Sequence, residues 1–332
     1  MSSESGIEAK SGSEAVAGAR HRATGARMST GRAGDRIFAG AARGSGIIVL
    51  GIVAAIAAFL VWKAIPALQD NEASFLTSEE WNPNAAPPEF GIAQLAFGTV
   101  VSSILAMLIA TPVAIGIALF ISFYSPRRLA TGLGYIVDLL AAVPSIVYGL
   151  WGLIFLSKHM EGISKLLNST LGWIPLFGGD NPGKNSIFTA SVVLAIMILP
   201  IISSISREVF LQVPQPNVEA SLALGATRWE MIRMSVLPYG RSGMIGASML
   251  GLGRAMGETI AVAMVLTFVP GINWHLLENG GSTFAANIAN SFAEASTTGR
   301  GALIASGLVL FVITLVVNMA ARAVVARRKE FV

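Results

Sequence analysis

The 332-residue chain contains no cysteine, which excludes disulfides, thiolate metal sites and cysteine catalysis. Charge is scarce: 13% of residues are Asp, Glu, Lys or Arg, against roughly 25% in an ordinary soluble domain. The three histidines, His21, His159 and His275, are scattered singly, without metal-ligand spacing. No Gly-X-X-X-X-Gly-Lys-Ser/Thr run occurs, so the chain lacks that phosphate-cradling loop. The net charge of +4 raises the question of nucleic acid, but the basic residues flank apolar runs instead of forming one face, so no nucleic-acid partner is expected.

What is abundant is apolar: 53% of residues are hydrophobic, gathered in runs that match the roughly 20 helical residues a bilayer core requires. The reading is an all-α integral membrane protein, solvated by lipid, with six transmembrane helices at about 46–62, 92–124, 133–157, 187–206, 244–269 and 302–325. Residues 1–45, rich in Gly, Ser, Ala and Arg, read as a disordered basic cytoplasmic tail. A targeting leader is the alternative, and Glu4, Glu8 and Glu14 stand against it. The membrane domain covers 46–328, with 329–332 as the cytoplasmic end. The first span is read as uncleaved, although its basic leader and apolar core also fit a signal peptide. Pro112 reads as a kink in the second span, and Phe284, Ile288 and Phe292, recurring every four residues, as a short amphipathic helix. Seventeen of the 23 Lys and Arg residues fall in the tail and in 127–128, 207–241 and 322–329, which predicts both termini in the cytoplasm.

The segment 213–238 is too polar to span. Pro214 and Pro216 break the preceding helix, and Gly225 reads as a turn between two short helical pieces. From the residues alone it is either an ordinary surface loop or a rigid contact for another protein. The apolar run beyond it holds Arg254 and Glu258, four residues apart. A charge in hydrocarbon costs at least about 2.5 kcal/mol, which makes both functional candidates.

Glu219-Ala220-Ser221, three residues, Gly225, nine residues and Ser235-Val-Leu237-Pro238 resemble the EAA loop of ATP-binding-cassette (ABC) importer permeases, which reads Glu-Ala-Ala, three residues, Gly, nine residues, Ile-X-Leu-Pro. Ser221 and Ser235 depart from that pattern, standing where Ala and Ile are usual, with weaker apolar contact expected within the loop. Arg254-Ala-Met-Gly-Glu258-Thr-Ile-Ala-Val262 is similar to the signature of the PstC-type permease family of phosphate-specific importers. Gly34–Phe38, Ala142–Gly152, Ile196–Pro200 and Ser206–Phe210 fit the same family, so the likeness covers about 34–328.

The resemblance implies a type I ABC importer permease fold, MetI-like, in a bacterial plasma membrane. It implies a permease subunit of an ATP-driven inorganic phosphate importer, not itself an enzyme. Its partners would be a PstA-like second permease, two copies of a PstB-like ATPase and an external phosphate-binding protein. ATPase coupling would run through Glu219, Ala220, Gly225, Leu237 and Pro238. ATP and Mg would be bound by the partner ATPase, with no cofactor or metal in this chain. Two alternatives stay open: a permease for another oxyanion such as sulfate or molybdate, and a non-conducting sensor of ATPase state.

On an uninterrupted helix, Ala247, Gly251, Arg254, Glu258 and Val262 share one face. Arg254 can hold a phosphate through two parallel hydrogen bonds, and Glu258 one turn on can compete for it, making a displaceable gate. A structural ion pair that neutralises two buried charges is the other reading. Asp138 is a third pathway candidate, as a partner of Arg254 or of a polar residue in the second permease, with interfacial snorkelling as its alternative.

Overall fold

The computed structural model describes residues 31–327. Helix α1 (Gly31–Asp70) is 40 residues long, about 60 Å at 1.5 Å per residue, and none of its most apolar window is buried. Residues 31–45, assigned from the sequence to a disordered tail, are helical here. Residues 1–30 and 328–332 lie outside the described residues.

The core forms where α2 (Ala93–Leu119), α6 (Ile187–Leu211) and α9 (Leu237–Met256) meet. Along α2, Ala106, Ala110 and Ala114 recur every fourth residue and are fully buried. They share one apolar cluster with Val193, Leu194, Met197, Ile198 and Ile202 of α6. A stripe of methyl groups lets two backbones approach closely, which in lipid substitutes packing for the missing hydrophobic drive. Helix α9 comes equally near at Gly251, where a Cβ would lie 2.8 Å from the Ile202 side chain. Pro112 and Pro200 sit inside α2 and α6, and α2 ends in a π-helical turn, Phe120–Tyr124.

Of the six spans expected from the sequence, two are broken within the described residues. Among the described residues four helices are long and apolar enough to cross a membrane: α1, α2 with its π turn, α6 and α12 (Thr297–Arg327). The third expected span is broken by 90° between α3 (Arg127–Ala141) and a helical run that starts as α4 (Ser145–Trp151) and continues as α5 (Ser157–Leu171). Pro144 is the cause, since it has no N–H and disfavours helical geometry at Val143. The Tyr148 hydroxyl donates to the Leu140 carbonyl at 2.9 Å, satisfying one acceptor that the break frees. The fifth expected span is interrupted too: α9 stops at Met256, residues 257–259 are non-helical, and α10 (Ile260–Val265) begins afresh.

A two-stranded hairpin, β1 (Trp81–Asn82) and β2 (Glu89–Phe90), pairs Trp81 with Phe90 and packs both rings against Leu95, Phe284 and Leu303. Asn71 clamps Phe90 with both halves of its amide, donating to the carbonyl at 2.8 Å and accepting from the N–H at 3.0 Å. The amphipathic repeat near residue 288 is helix α11 (Phe284–Ser291), with Phe284 fully buried and Phe292 exposed just beyond it. The loops 172–186 and 266–283 are joined by Glu278. Its carboxylate accepts from the Asp180 and Asn181 N–H groups at 3.0 and 3.4 Å and from the Asn273 amide at 2.8 Å. Partial burial opposes the charge on Glu278, but these bonds, with His275 nearby, prevail and hold its carboxyl below the ordinary value.

Candidate functional site

The polar segment folds as two short helices at a corner. Helix α7 (Gln215–Ala223) has Pro216 in its first turn, where the missing N–H would be unpaired anyway. Gly225 turns the chain with φ +86°, and no atom lies within 4 Å of where its Cβ would be. Glycine is therefore required by the left-handed backbone alone. Helix α8 (Arg228–Met231) is started by a capping box: Thr227 Oγ1 accepts from the Glu230 N–H at 3.3 Å, and Glu230 Oε2 accepts from the Thr227 N–H at 2.8 Å. The Thr227 backbone N–H and then its hydroxyl hold the Glu230 carboxyl below its ordinary value. The Thr-X-X-Glu spacing was readable in the sequence but went unused.

A π-helical turn, Ile232–Val236, leads into α9, whose first two residues are Leu237 and Pro238. Beneath the corner, Met231, Ile232 and Val236 pack with Phe210, Val213, Ala118 and Leu119, which anchors the loop to α2 and α6. The other side is bare. Glu219 and Ala220 are exposed on α7, Leu224 is 90% exposed, and Trp229 and Met234 are more than half exposed. Ser221 and Ser235, the two departures from the EAA pattern, are joined hydroxyl to hydroxyl, so a hydrogen bond occupies the place of the expected weakened apolar contact.

Arg254 and Glu258 are not the one-face pair expected of an unbroken helix. Arg254 lies in the last turn of α9, where the negative end of the helix dipole favours a cation. Glu258 lies past Gly257, is 7% exposed, and accepts from the Ala261 N–H at 3.2 Å, capping α10. The break therefore gives each charge its own helix end instead of each other. Among the described residues Arg254 forms no ion pair within 4.0 Å, and its Nε is buried without an acceptor. Its side chain helps line a wide groove of about 1200 Å³, mostly walled by α9 and α12, which Glu258 does not line.

Asp138 is not paired with Arg254. It accepts from the Ser204 hydroxyl at 2.6 Å and from Arg207 Nη2 at 3.2 Å, tying α3 to α6. Arg207 also reaches Glu208 at 3.1 Å, and Gly134 leaves the space that the Arg207 guanidinium fills. Sequence reasoning missed Arg207 because its partner lies 69 residues away.

Long apolar helices, two broken helical segments and a capped, corner-shaped polar loop define a membrane-embedded permease subunit of the ABC importer class. Residues 110–330 match the family model described as "Binding-protein-dependent transport system inner membrane component". The chain is 49% identical over 304 residues to the phosphate transport system permease protein PstC 2 of Mycobacterium tuberculosis, covering 90% of this chain and 93% of that one. It is 45% identical to the PstC permease of Xylella fastidiosa, over 85% and 88% of the two chains. In fold it is similar to a chain of the inward-facing MetNI methionine ABC transporter, with a TM-score of 0.54 and 14% identity over 71% of this chain and 95% of that one. The chain belongs to the binding-protein-dependent transport system inner membrane component family and, within it, to the PstC-type permeases. Membership makes it a multi-pass transport component that works with an ATPase and a substrate-binding protein.

Proposed function

We propose that this chain is the phosphate-conducting permease of an ATP-driven importer, paired in the membrane with a PstA-like permease. Two copies of a PstB-like ATPase meet the 213–238 loop from the cytoplasm, and an external binding protein delivers inorganic phosphate. Both termini are cytoplasmic, in keeping with the Lys and Arg bias. ATP and Mg are held by the ATPase, and this chain has no ATP site of its own.

One observation carries the reading: a guanidinium without an ion-pair partner among the described residues opens onto a groove whose lining contains no carboxylate. Arg254 offers a tetrahedral oxyanion a planar fork of donors. Glu258, held at the break by the Ala261 N–H, stands outside the groove and leaves the Arg254 guanidinium free for an anion. Leu224, Trp229 and Met234 support the loop as a docking face, since exposed aromatic and aliphatic anchors are what a partner cleft buries. The cargo is supported by near-full-length identity to relatives named as phosphate permeases.

The test is reconstitution with the partner permease, ATPase and binding protein. ATP-dependent accumulation of phosphate, not outcompeted by sulfate or molybdate and lost in Arg254→Gln, is the expected result. Preference for another oxyanion would overturn the cargo, and ATPase regulation without flux would overturn conduction.

A further inference from the structure

We propose that Arg322 of α12 is a second phosphate contact in the groove that Arg254 opens onto, so that the anion is handed from one guanidinium to the other. The inference rests on the phosphate reading above and adds a residue to it.

Two helix faces make the main walls of the groove. On α9 they are Gly246, Leu250, Gly253 and Arg254, and on α12 they are Asn318 and Arg322. Asn318 and Arg322 are one turn apart, so both project from the same face of their helix. The groove therefore carries two cations, an amide that can donate, and no acid. Along α9 the lining runs from Ser242 to Arg254, about 18 Å of helix, which is several times the width of a phosphate ion. One arginine cannot attend an anion over that length.

Arg322 is exposed, and among the described residues it has no carboxylate within 4.0 Å. The remaining wall is mostly apolar, which offers an anion little grip between the two charges. Two separated cations give what conduction needs: binding favourable enough to enter and weak enough to leave. A basic residue at a helix end also serves to fix topology, and Lys does that as well as Arg. The two roles therefore separate by chemistry, because only Arg supplies a planar fork to a phosphate.

The experiment uses the assembled transporter in vesicles, comparing wild type, Arg322→Gln and Arg322→Lys at matched membrane abundance. Phosphate uptake is read with its KM and with ATP hydrolysed per phosphate moved. Arg322→Gln is expected to lower uptake about tenfold or more, the scale of one lost charge-assisted hydrogen bond, with ATP hydrolysis retained. Arg322→Lys is expected to recover part of it. Wild-type rates in both variants would overturn the inference while leaving phosphate transport intact. Full recovery by Lys would reduce Arg322 to a topology charge and overturn it too. The assay is repeated in phosphatidylcholine alone and with phosphatidylglycerol. An Arg322 effect confined to the anionic vesicles would assign the residue to lipid headgroups and not to cargo. A wild-type complex that moves sulfate but no phosphate would bring down both readings together.

Discussion

Ser221 and Ser235, fourteen residues apart, share a hydroxyl–hydroxyl bond of 2.7 Å and one backbone acceptor, the Asn217 carbonyl, at 2.9 and 3.4 Å respectively. Each hydroxyl has a single proton, so Ser221 donates to Asn217 while Ser235 donates to Ser221. The bond ties α7 to the π turn that starts α9. Replacing either serine with alanine is predicted to destabilise the corner by about 1 kcal/mol. The double change Ser221→Ala with Ser235→Ile restores the usual EAA pair and is predicted to recover most of that loss. Thermal midpoints of the assembled transporter for Ser221→Ala, Ser235→Ile and the double change, taken as a double-mutant cycle, check it. Additive losses would mean the two hydroxyls act independently.

Glu258 caps α10 through an oxygen that glutamine also possesses. Glu258→Gln is therefore predicted to keep the break at 257–259 and remove only the charge. Glu258→Ala removes the cap as well, at about 1 kcal/mol. Uptake and thermal midpoint measured side by side separate the two effects, and equal midpoints for Gln and Ala would show that the cap contributes nothing.

At Gly225 the requirement is conformational and not steric, because φ is +86° and the surroundings are open. Gly225→Ala is predicted to strain the corner by about 1 kcal/mol, with Gly225→Asn milder because Asn tolerates the left-handed region. The readout is phosphate-coupled ATP hydrolysis, in which Asn should exceed Ala. The reverse order would place the glycine requirement elsewhere.

Glu278 gives a pH prediction. Its folded carboxyl sits below the ordinary value, so its contribution is fully present above the unfolded pKa and is lost as pH falls through the lower folded value. Amide exchange at Asp180 and Asn181 should therefore gain an excess, beyond the intrinsic pH trend, only in acid below the usual carboxylate range. In Glu278→Gln, which keeps the acceptor, that acid step should disappear.

The continuous helices were legible because their signals are local. The apolar runs of α2, α6 and α12 are long enough to outweigh the single prolines inside α2 and α6, and the four-residue aromatic repeat found α11. The breaks were less legible. Pro144 stands within the third expected span, but whether a proline bends a helix slightly or turns it by 90° depends on whether the freed carbonyls find partners such as the Tyr148 hydroxyl. Gly257 lies inside the fifth expected span, 244–269, and instead caps the end of α9. For the site, the types and positions of Arg254 and Glu258 were readable. Their separation was not, because two helix ends hold the charges better than an Arg-before-Glu pair on one helix would. Asp138 was visible as a charge, but its partners Ser204 and Arg207 come from long-range packing.

The alanine ladder of α2 restricts how this protein can change shape. Methyl groups seated every four residues against α6 fit in one register, and slipping by part of a turn would drive them into the facing side chains. We therefore expect the two helices to travel as one plank, with any opening or shutting taken up at the elbows Ala142–Pro144 and Gly257–Thr259. Since the chain is naturally free of cysteine, paired spin labels can be introduced without first stripping reactive thiols. Distances within the plank should stay fixed through the ATP cycle while those across either elbow change, and a plank that stretches would disprove the scheme.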